Sequence, residues 1–228
     1  MLAFVAAGGE LSQPQRFAPL ARAADLVLAA DSGYDHLLRM GVRPHLLLGD
    51  LDSISPPALE DARSGKTGIE TFPTEKDYTD TELVLREAVG RGAVTVIACA
   101  AFGDRLDHTL ANVLLLTSPA LRDTDVCLLD ERQEVRLVRR HIRLRTEPGE
   151  TVSLLPVAGP VAGVATTGLY YPLSGATLET GPALGISNVA TGLQIEVRHS
   201  SGFLLLTRIF KDGLDGGRYL KENPADGR

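Results

Sequence analysis

The chain has 228 residues, of which 44% are hydrophobic and 23% charged, a composition typical of a folded globular protein rather than a disordered or fibrous one. A formal net charge of −6 disfavours a nucleic-acid partner, because such binding depends on clustered lysines and arginines. No stretch approaches the roughly 18 apolar residues of a membrane span, and the start lacks the features of a signal peptide. We therefore expect a cytoplasmic protein with no membrane partner.

Short apolar runs alternate with helical patterns in the first half of the chain. Runs of Val, Leu and Ile without polar alternation favour strands that are buried on both faces. The predicted strands are residues 2–7, 26–30, 45–48 and 94–100, and the predicted helices are residues 33–40, 79–89 and 107–116. This alternation predicts an α/β domain with a mostly parallel, Rossmann-like sheet over residues 1–125.

The pattern changes at about residue 126. Short strand-like runs are then separated by Gly, Pro and Ser clusters, and none has a helical period, so an all-β domain is predicted for residues 126–215. Within it, residues 193–210 favour a hairpin, because two apolar runs flank a Ser-Ser-Gly turn. Residues 216–228 are polar and Gly-rich, and a tail is predicted there.

Three predicted strands end in clusters of polar residues. Open α/β sheets bind ligands beyond the carboxyl ends of their strands, so these clusters are the first candidates for a site. They are Asp31-Ser32-Gly33 after the second strand, GDLDS at 49–53 after the third, and GDRLDH at 103–108 after the fourth.

The GDLDS segment places two carboxylates, Asp50 and Asp52, two residues apart. In an extended segment this spacing points both side chains the same way, and two such oxygen ligands suit Mg²⁺ completed by waters and substrate phosphates. The alternative is a turn in which Asp and Ser accept hydrogen bonds from their own backbone amides. The segment alone leaves both interpretations open.

Two further segments lie at the starts of predicted helices. Asp77 and Asp80 are three residues apart, and Asp80 or Thr79 could also cap the helix, a role compatible with metal binding. Arg105 and His108 lie where a strand end opens a helix, a position that favours phosphate. A solvated arginine and a structural histidine are the alternative.

Taken together, these segments resemble the thiamine pyrophosphokinase family. The resemblance covers most of the chain, from about residue 30 to about residue 188. It rests on five pieces in the family's order: ADSGYDHLLRMGVRPHLLLGDLDSI, FPTEKDYTDTEL, GDRLDHTLANVLLL, TTGLYYPL and GISN. It implies an α/β catalytic domain followed by a β-sandwich that binds thiamine and forms a homodimer, with active sites at the subunit interface.

The resemblance also implies roles for the polar residues of the first domain. ATP is expected as co-substrate and Mg²⁺ as cofactor, both in the α/β domain. The metal-binding positions of the family fall on Asp50, Asp52 and Asp80, which count as catalytic together with Arg105. The other polar motif positions, expected to contact nucleotide or substrate, are Asp31, Lys76, Asp77, Asp107 and His108.

In the second domain the resemblance assigns thiamine binding to Tyr171, Ser187 and Asn188. An aromatic face suits a cationic thiazolium through cation–π attraction. Without the resemblance, a tyrosine at the edge of the core and a plain turn would be the simpler interpretations. The chain departs from the family pattern by having Ser32 where a second glycine is usual, and Tyr171 rather than Trp.

The expected reaction is attack of thiamine's hydroxyl on the β-phosphorus of ATP, which gives thiamine diphosphate and AMP. Three alternatives remain open on sequence grounds. One is a Mg²⁺-dependent transferase for another alcohol, such as a pterin-like or toxopyrimidine-like acceptor. The others are a non-catalytic thiamine or nucleotide sensor and a metal-dependent phosphohydrolase.

Overall fold

The computed structural model describes residues 1–73, 75 and 77–223. The chain forms two compact units, the first made of Met1–Glu131 with Asp215–Arg228 and the second of Arg132–Leu214. Among the described residues, every helix is too short or too polar to cross a bilayer.

The first unit contains a six-stranded, all-parallel sheet in the order β4-β3-β2-β1-β5-β6. Its strands are β1 (Leu2–Ala6), β2 (Leu26–Ala30), β3 (Leu46–Gly49), β4 (Gly68–Thr71), β5 (Thr95–Cys99) and β6 (Asp125–Leu129). Its helices are α1 (Ala18–Ala23), α2 (Gly33–Met40), α3 (Pro56–Ser64), α4 (Asp80–Gly90), α5 (Leu106–Leu115) and α6 (Gly216–Glu222), with 3₁₀ turns at Pro14–Phe17 and Pro119–Leu121.

The predicted parallel sheet is confirmed for its central strands. Every residue of β1, β2, β3 and β5 is buried, as expected for apolar runs that are covered by helices on both faces. The edge strand β4 is mostly exposed and too polar for its sequence to stand out. Helix α3 begins after Ser55, whose hydroxyl accepts a hydrogen bond from the Ala58 amide at 3.3 Å.

The end of the first unit differs from the sequence-based boundaries. Strand β6 pairs in parallel with β5, so it extends this sheet although the boundary was placed at 125/126. The segment predicted as a polar tail contains α6, whose start is capped by Asp215. Tyr219 on this helix is buried, and its hydroxyl lies 3.3 Å from Cys127 Sγ on β6. One buried tyrosine in a seven-residue helix is too weak a pattern to predict.

The second unit is β-rich. Its strands follow the order β7-β13-β9-β12-β8, with two short strands also paired to β9. The strands are β7 (Gln133–Val138), β8 (His141–Arg145), β9 (Thr151–Thr167), β10 (Ala176–Leu178), β11 (Asn188–Val189), β12 (Gln194–Arg198) and β13 (Ser201–Ile209). One apolar core joins them, including Leu154, Val164, Ile195 and Leu204.

The predicted hairpin around the Ser-Ser-Gly turn is wrong. Strand β12 pairs with β8 and with the end of β9, whereas β13 pairs with β7 and with the earlier part of β9. The cause is the length of β9, which contributes to both ladders. Within it, Ala158, Gly159 and Gly163 adopt positive φ angles of 58°, 123° and 69°, and the register of its pairing with β13 shifts between Ser201 and Phe203.

Candidate active site

A pocket of about 670 Å³ lies at the carboxyl edge of the parallel sheet. Its walls are the segments that follow β1, β2, β3 and β5, together with the N-terminal ends of α4 and α5. Strand order reverses beside β1, so this is also the position at which open α/β sheets bind ligands. Six of the predicted site residues line it: Asp31, Asp50, Asp52, Asp80, Arg105 and His108.

Three carboxylates converge on one wall of the pocket. Oxygen atoms of Asp31, Asp50 and Asp52 all lie within 4.8 Å of one another. Asp31 is only 5% exposed, and its Oδ2 accepts a hydrogen bond from Ser53 Oγ at 2.8 Å. Its Oδ1 is buried and has no hydrogen-bond partner among the residues that the structure describes. A buried carboxylate oxygen in that position is suited to a cation.

Burial raises the pKa of Asp31 above its ordinary value, and the nearby carboxylates of Asp80 and Asp50 raise it further. The hydrogen bonds from Ser53 act in the opposite direction. A site that concentrates negative charge in this way binds a cation more strongly than an isolated aspartate would.

The carboxylates converge because the backbone turns sharply at the strand ends. Asp31 and Leu51 adopt left-handed φ angles of 47° and 65°, which are unfavourable for residues with a side chain. Leu51 also shows that Asp50 and Asp52 do not lie in the extended segment that was predicted. A turn brings them together instead, and Asp52 N donates to Asp50 Oδ1 at 3.3 Å. Asp50 therefore accepts a bond from a nearby amide, as the turn alternative expects, whereas the Ser53 hydroxyl donates to Asp31, and both bonds are compatible with a shared cation.

Gly49 permits this close approach. It has a φ of 148°, and a Cβ atom at its position would lie 3.1 Å from the Asp31 Cβ and 3.4 Å from Asp80 Oδ1. The same distances show that the Asp80 side chain reaches the end of β3. Asp80 is the first residue of α4, and the preceding Thr79 caps the helix by accepting from Glu82 N at 3.1 Å. A helix N-terminus favours a negatively charged group, so the start of α4 is a suitable position for an acidic side chain.

Two of the neighbouring predicted residues, Asp77 and Asp107, are not part of the pocket lining. Asp77 is exposed and is not part of the pocket lining, and Lys76 lies outside the described residues. Asp107 also lies outside the lining, although it binds the pocket residue Arg105 through an ion pair of 2.7 Å. The pKa of Asp107 is lowered chiefly by its hydrogen bonds from the Arg105 guanidinium.

Several pocket residues were missed by sequence reasoning. Gly9 follows β1, and a Cβ there would lie 2.2 Å from the Phe102 carbonyl oxygen, so only glycine fits. Asn112 on α5 is buried and donates to the Ala101 carbonyl oxygen at 2.8 Å, which fixes the loop after β5. The Gly-Gly pair after the first strand was a detectable signal, whereas a single asparagine in a helix was not.

Of the two glycines that the family resemblance leads us to expect after Asp31, the first is replaced by Ser32. The Ser32 hydroxyl lies beside Gly8, where a Cβ atom would be 2.7 Å from Ser32 Oγ. Gly33 is retained, and a Cβ there would lie 2.0 Å from the Ala6 carbonyl oxygen. Position 32 therefore admits a side chain, whereas position 33 has room only for glycine.

The predicted thiamine-binding residues lie in the second unit. Tyr170 and Tyr171 are each 66% exposed, and their rings meet edge to face with centroids 4.8 Å apart. Asn188 is buried, and its side-chain amide bonds to the backbone of Tyr171. Ser187 has a left-handed φ of 57°, and its amide donates to Ser153 Oγ at 3.0 Å. The structure thus brings Tyr171 and Asn188 into direct contact.

Comparison with known proteins assigns each part of the chain to a domain model. Residues 17–128 match the thiamin pyrophosphokinase catalytic domain, and residues 139–204 match the thiamin pyrophosphokinase vitamin B1 binding domain. Thiamine pyrophosphokinase from Bacillus subtilis is 25% identical over 185 residues, which cover 80% of this chain and 86% of the relative. Thiamine pyrophosphokinase 1 from Arabidopsis thaliana is 28% identical, covering 87% and 84%.

The fold is shared with solved structures. The crystal structure of the Bacillus subtilis thiamine pyrophosphokinase superposes with a TM-score of 0.83 at 22% identity, covering 92% of this chain and all of that one. The matched models together define a kinase, an enzyme of the transferase class with separate catalytic and vitamin-binding parts. The chain belongs to the thiamine pyrophosphokinase family, and its enzyme class is thiamine diphosphokinase.

Proposed function

We propose that the protein transfers the diphosphoryl group of ATP to the hydroxyl of thiamine, with the chemistry at the acidic pocket of the first unit. The observation that carries this proposal is the convergence of Asp31, Asp50 and Asp52 within 4.8 Å. These residues lie in the part of the chain that matches the catalytic domain model. The match of residues 139–204 to a vitamin B1 binding domain supports thiamine as the acceptor.

The donor set of the pocket fits Mg²⁺. It consists of carboxylate oxygens, the ligands that this cation prefers, and the buried Oδ1 of Asp31 supports a cation within reach. Asp50, Asp52 and Asp80 would hold the ion, and we add Asp31, which the sequence suggested only as a nucleotide or substrate contact. When bound, Mg²⁺ neutralises the charge of the phosphates and of the transition state.

The pocket lining also offers positive charge for ATP. Arg105 and His108 line it at the N-terminal end of α5, where the helix dipole also favours an anion. Arg105 is paired with Asp107 by an exposed ion pair, which costs little to exchange for a phosphate. Lys76 and Asp77 remain proposed nucleotide contacts.

The proposed step is in-line attack of the thiamine hydroxyl oxygen on the β-phosphorus. The new bond between the thiamine oxygen and Pβ forms as the bond from Pβ to the oxygen that bridges Pα and Pβ breaks. AMP leaves with that bridging oxygen. One of the clustered aspartates accepts the hydroxyl proton. Arg105 stabilises the charge that develops on the transferred group, and most of the rate comes from such positioning and electrostatic stabilisation.

Direct contact with thiamine is proposed for Tyr171 and Ser187, and Asn188, the third residue of this predicted set, bonds to the Tyr171 backbone. The exposed ring of Tyr171 supports this role, because an aromatic face attracts the thiazolium cation. The neighbouring Tyr170 is exposed to the same extent and extends the aromatic surface. We further propose a Rossmann-like first unit, a β-sandwich second unit and a cytoplasmic location.

A homodimer is also proposed, and α5 supports it. The helix borders the pocket through His108 and Asn112, yet it presents Leu106, Leu110 and Leu114 to solvent at 67%, 51% and 50% exposure. Leucines four residues apart form one apolar stripe, and a second copy of the chain would cover it. We expect Leu110→Glu to convert a dimer to a monomer in light scattering. Because the family resemblance assigns dimerisation to the second domain, the control is taken from the first unit: Val94→Glu, at a side chain that is 58% exposed, should leave the dimer intact.

The reaction is tested by incubating purified protein with ATP and Mg²⁺, with and without thiamine, and measuring AMP and thiamine diphosphate by mass spectrometry. We expect both products together, in equal amounts, only when thiamine is present. Nucleotide breakdown that ignores thiamine would support a phosphohydrolase. AMP formed only with a pterin or pyrimidine alcohol would support a transferase for another acceptor.

A further inference from the structure

The segment that carries Tyr171 is attached to the second unit by a short antiparallel ladder. Tyr170 N donates to the Val189 carbonyl oxygen at 2.9 Å, and Thr191 N donates to that of Gly168 at 2.8 Å. A bridge between Leu169 and Ala190 lies between these two bonds. The ladder therefore fixes the chain up to Tyr170 through backbone contacts.

At Tyr171 the backbone ladder ends and a side chain continues it. Tyr171 N donates to Asn188 Oδ1 at 3.0 Å, and Asn188 Nδ2 donates to the Tyr171 carbonyl oxygen at 2.7 Å. The carboxamide of Asn188 thus satisfies both backbone groups of Tyr171, as an opposing peptide group would. The left-handed φ of 57° at Ser187 shows that the main chain turns immediately before this residue.

The Asn188 side chain has little capacity left for a ligand. The residue is 7% exposed, and its Oδ1 also accepts from Val189 N at 2.9 Å. Its own backbone lies in β11, which pairs with Val152 on β9. The amide is therefore held on a strand and committed to Tyr171, whereas the Tyr171 ring remains 66% exposed.

We propose that Asn188 is a positioning residue, which fixes the backbone of Tyr171 so that the exposed ring is already oriented for thiamine, rather than a residue that contacts thiamine itself. The inference rests on the proposed function, because it assumes that Tyr171 binds the substrate. A ring with a fixed backbone loses less conformational freedom on binding, so removal of Asn188 weakens binding without removing a contact.

The attachment is tested without any ligand by amide hydrogen exchange. In Asn188→Ala we expect exchange protection at the Tyr171 amide to fall about fivefold or more, while the Tyr170 amide stays protected. Thr191→Val is the matched control, since it removes a side-chain hydrogen bond of 3.1 Å to Gly168 in the same segment. Unchanged protection of Tyr171 in Asn188→Ala would overturn the proposed attachment and leave the role of Tyr171 standing.

The consequence for thiamine is tested by a double-mutant cycle. Tyr171→Ala and Asn188→Ala should each raise the KM for thiamine about tenfold, with the KM for ATP little changed. The double variant should be no worse than the poorer single variant, because Asn188 acts through the ring. If the double variant raised the thiamine KM by the product of the two single-variant factors, Asn188 would make an independent contact. That result would overturn the proposal.

Two results separate this inference from the function on which it rests. Unchanged thiamine KM in Tyr171→Ala would overturn the role of the ring, and with it the consequence for Asn188, whatever the exchange experiment shows. If Asn188→Ala does not fold, Asn188→Asp keeps an acceptor for Tyr171 N but loses the Nδ2 donor. We expect that variant also to raise the thiamine KM, non-additively with Tyr171→Ala, and additivity there would equally contradict the proposal.

Discussion

The two units position their proposed site residues in different ways. In the first unit, turns with left-handed backbone angles at Asp31 and Leu51 bring charged side chains together. In the second, buried hydrogen bonds hold the backbone of Tyr171 while its ring stays exposed. Carboxylates repel one another, so a strained backbone is needed to hold them close together when no cation is bound. An aromatic ring needs only a fixed backbone to be oriented for a ligand.

The two units also differ in how their buried carboxylates are paired. The second unit also buries carboxylates, but Glu134 binds Arg208 at 2.7 Å and Arg136 at 2.9 Å inside its core. Those charges are compensated within the fold, whereas Asp31 presents a buried oxygen that no described residue bonds. A charge-removing substitution should therefore affect catalysis in one unit and stability in the other.

The largest effect is expected for Asp52→Asn, which removes a charge from the pocket with little change in shape. We expect turnover to fall about 1,000-fold, because a carboxylate that would hold Mg²⁺ is lost. The charge that develops on the transferred group would then be less well stabilised. The melting temperature should change little, since the Asp52 side chain is exposed. AMP release and thermal unfolding measure the two quantities. Asp123→Asn on the surface is the control, and full activity in Asp52→Asn would remove that residue from the site.

Glu134→Gln makes the same chemical change in the second unit. We expect it to lower the free energy of unfolding by about 3 kcal/mol, because two buried arginines would lose their shared carboxylate. Urea denaturation of the purified variant checks this value. A protein of unchanged stability would show that the buried ion pairs contribute little to the fold.

Tyr171→Ala is expected to raise the KM for thiamine about tenfold by removing the aromatic face. The KM for ATP should stay within about twofold, since ATP is assigned to the other unit. Steady-state kinetics with each substrate varied in turn measures both constants. Tyr171→Phe keeps the ring and should behave like the unsubstituted protein. Equal effects on both substrates would contradict the division of labour.

The smallest effect concerns His36, which is partly buried and lies 2.8 Å from the Gly9 carbonyl oxygen. Burial lowers the pKa of His36, so the unfolded chain binds its proton more readily than the folded protein does. The free energy of unfolding that depends on neutral His36 is therefore fully present above about pH 6.5, the ordinary pKa of histidine. It is lost as the pH falls from there through the lower pKa of His36 in the folded protein. Melting temperatures from pH 8 to 5 should decline less steeply in His36→Asn than in the unsubstituted chain, and identical slopes would contradict this.

Much of the first unit could be predicted from sequence because its signals are local. Buried strands such as β2 are continuous apolar runs, and helix α2 ends at Gly41, which has the left-handed φ of 65° expected of a helix terminus. The rule that open α/β sheets bind ligands at their strand ends then selected the polar clusters, and the family resemblance assigned roles to their residues. The sequence offered a turn at residues 49–53 only as an alternative, and it did not single out Leu51, since leucine has no preference for a left-handed angle.

The second unit was harder to predict because its pairings are distant in sequence. Strand β9 exchanges partners along its length, and only the folded structure shows that β12 and β13 separate there. The sequence marked Asn188 as a thiamine contact, although its burial and its bonds to Tyr171 depend on residues 17 positions apart. Local patterns do not contain that information.

The most direct test of the account is the position of the metal. Crystals grown with Mn²⁺ and a non-hydrolysable ATP analogue would locate the cation by its anomalous scattering. We expect a peak bounded by Asp31, Asp50, Asp52 and Asp80, with the phosphates extending toward Arg105. A protein that binds the nucleotide with its metal elsewhere, away from these four carboxylates, would contradict the proposed site.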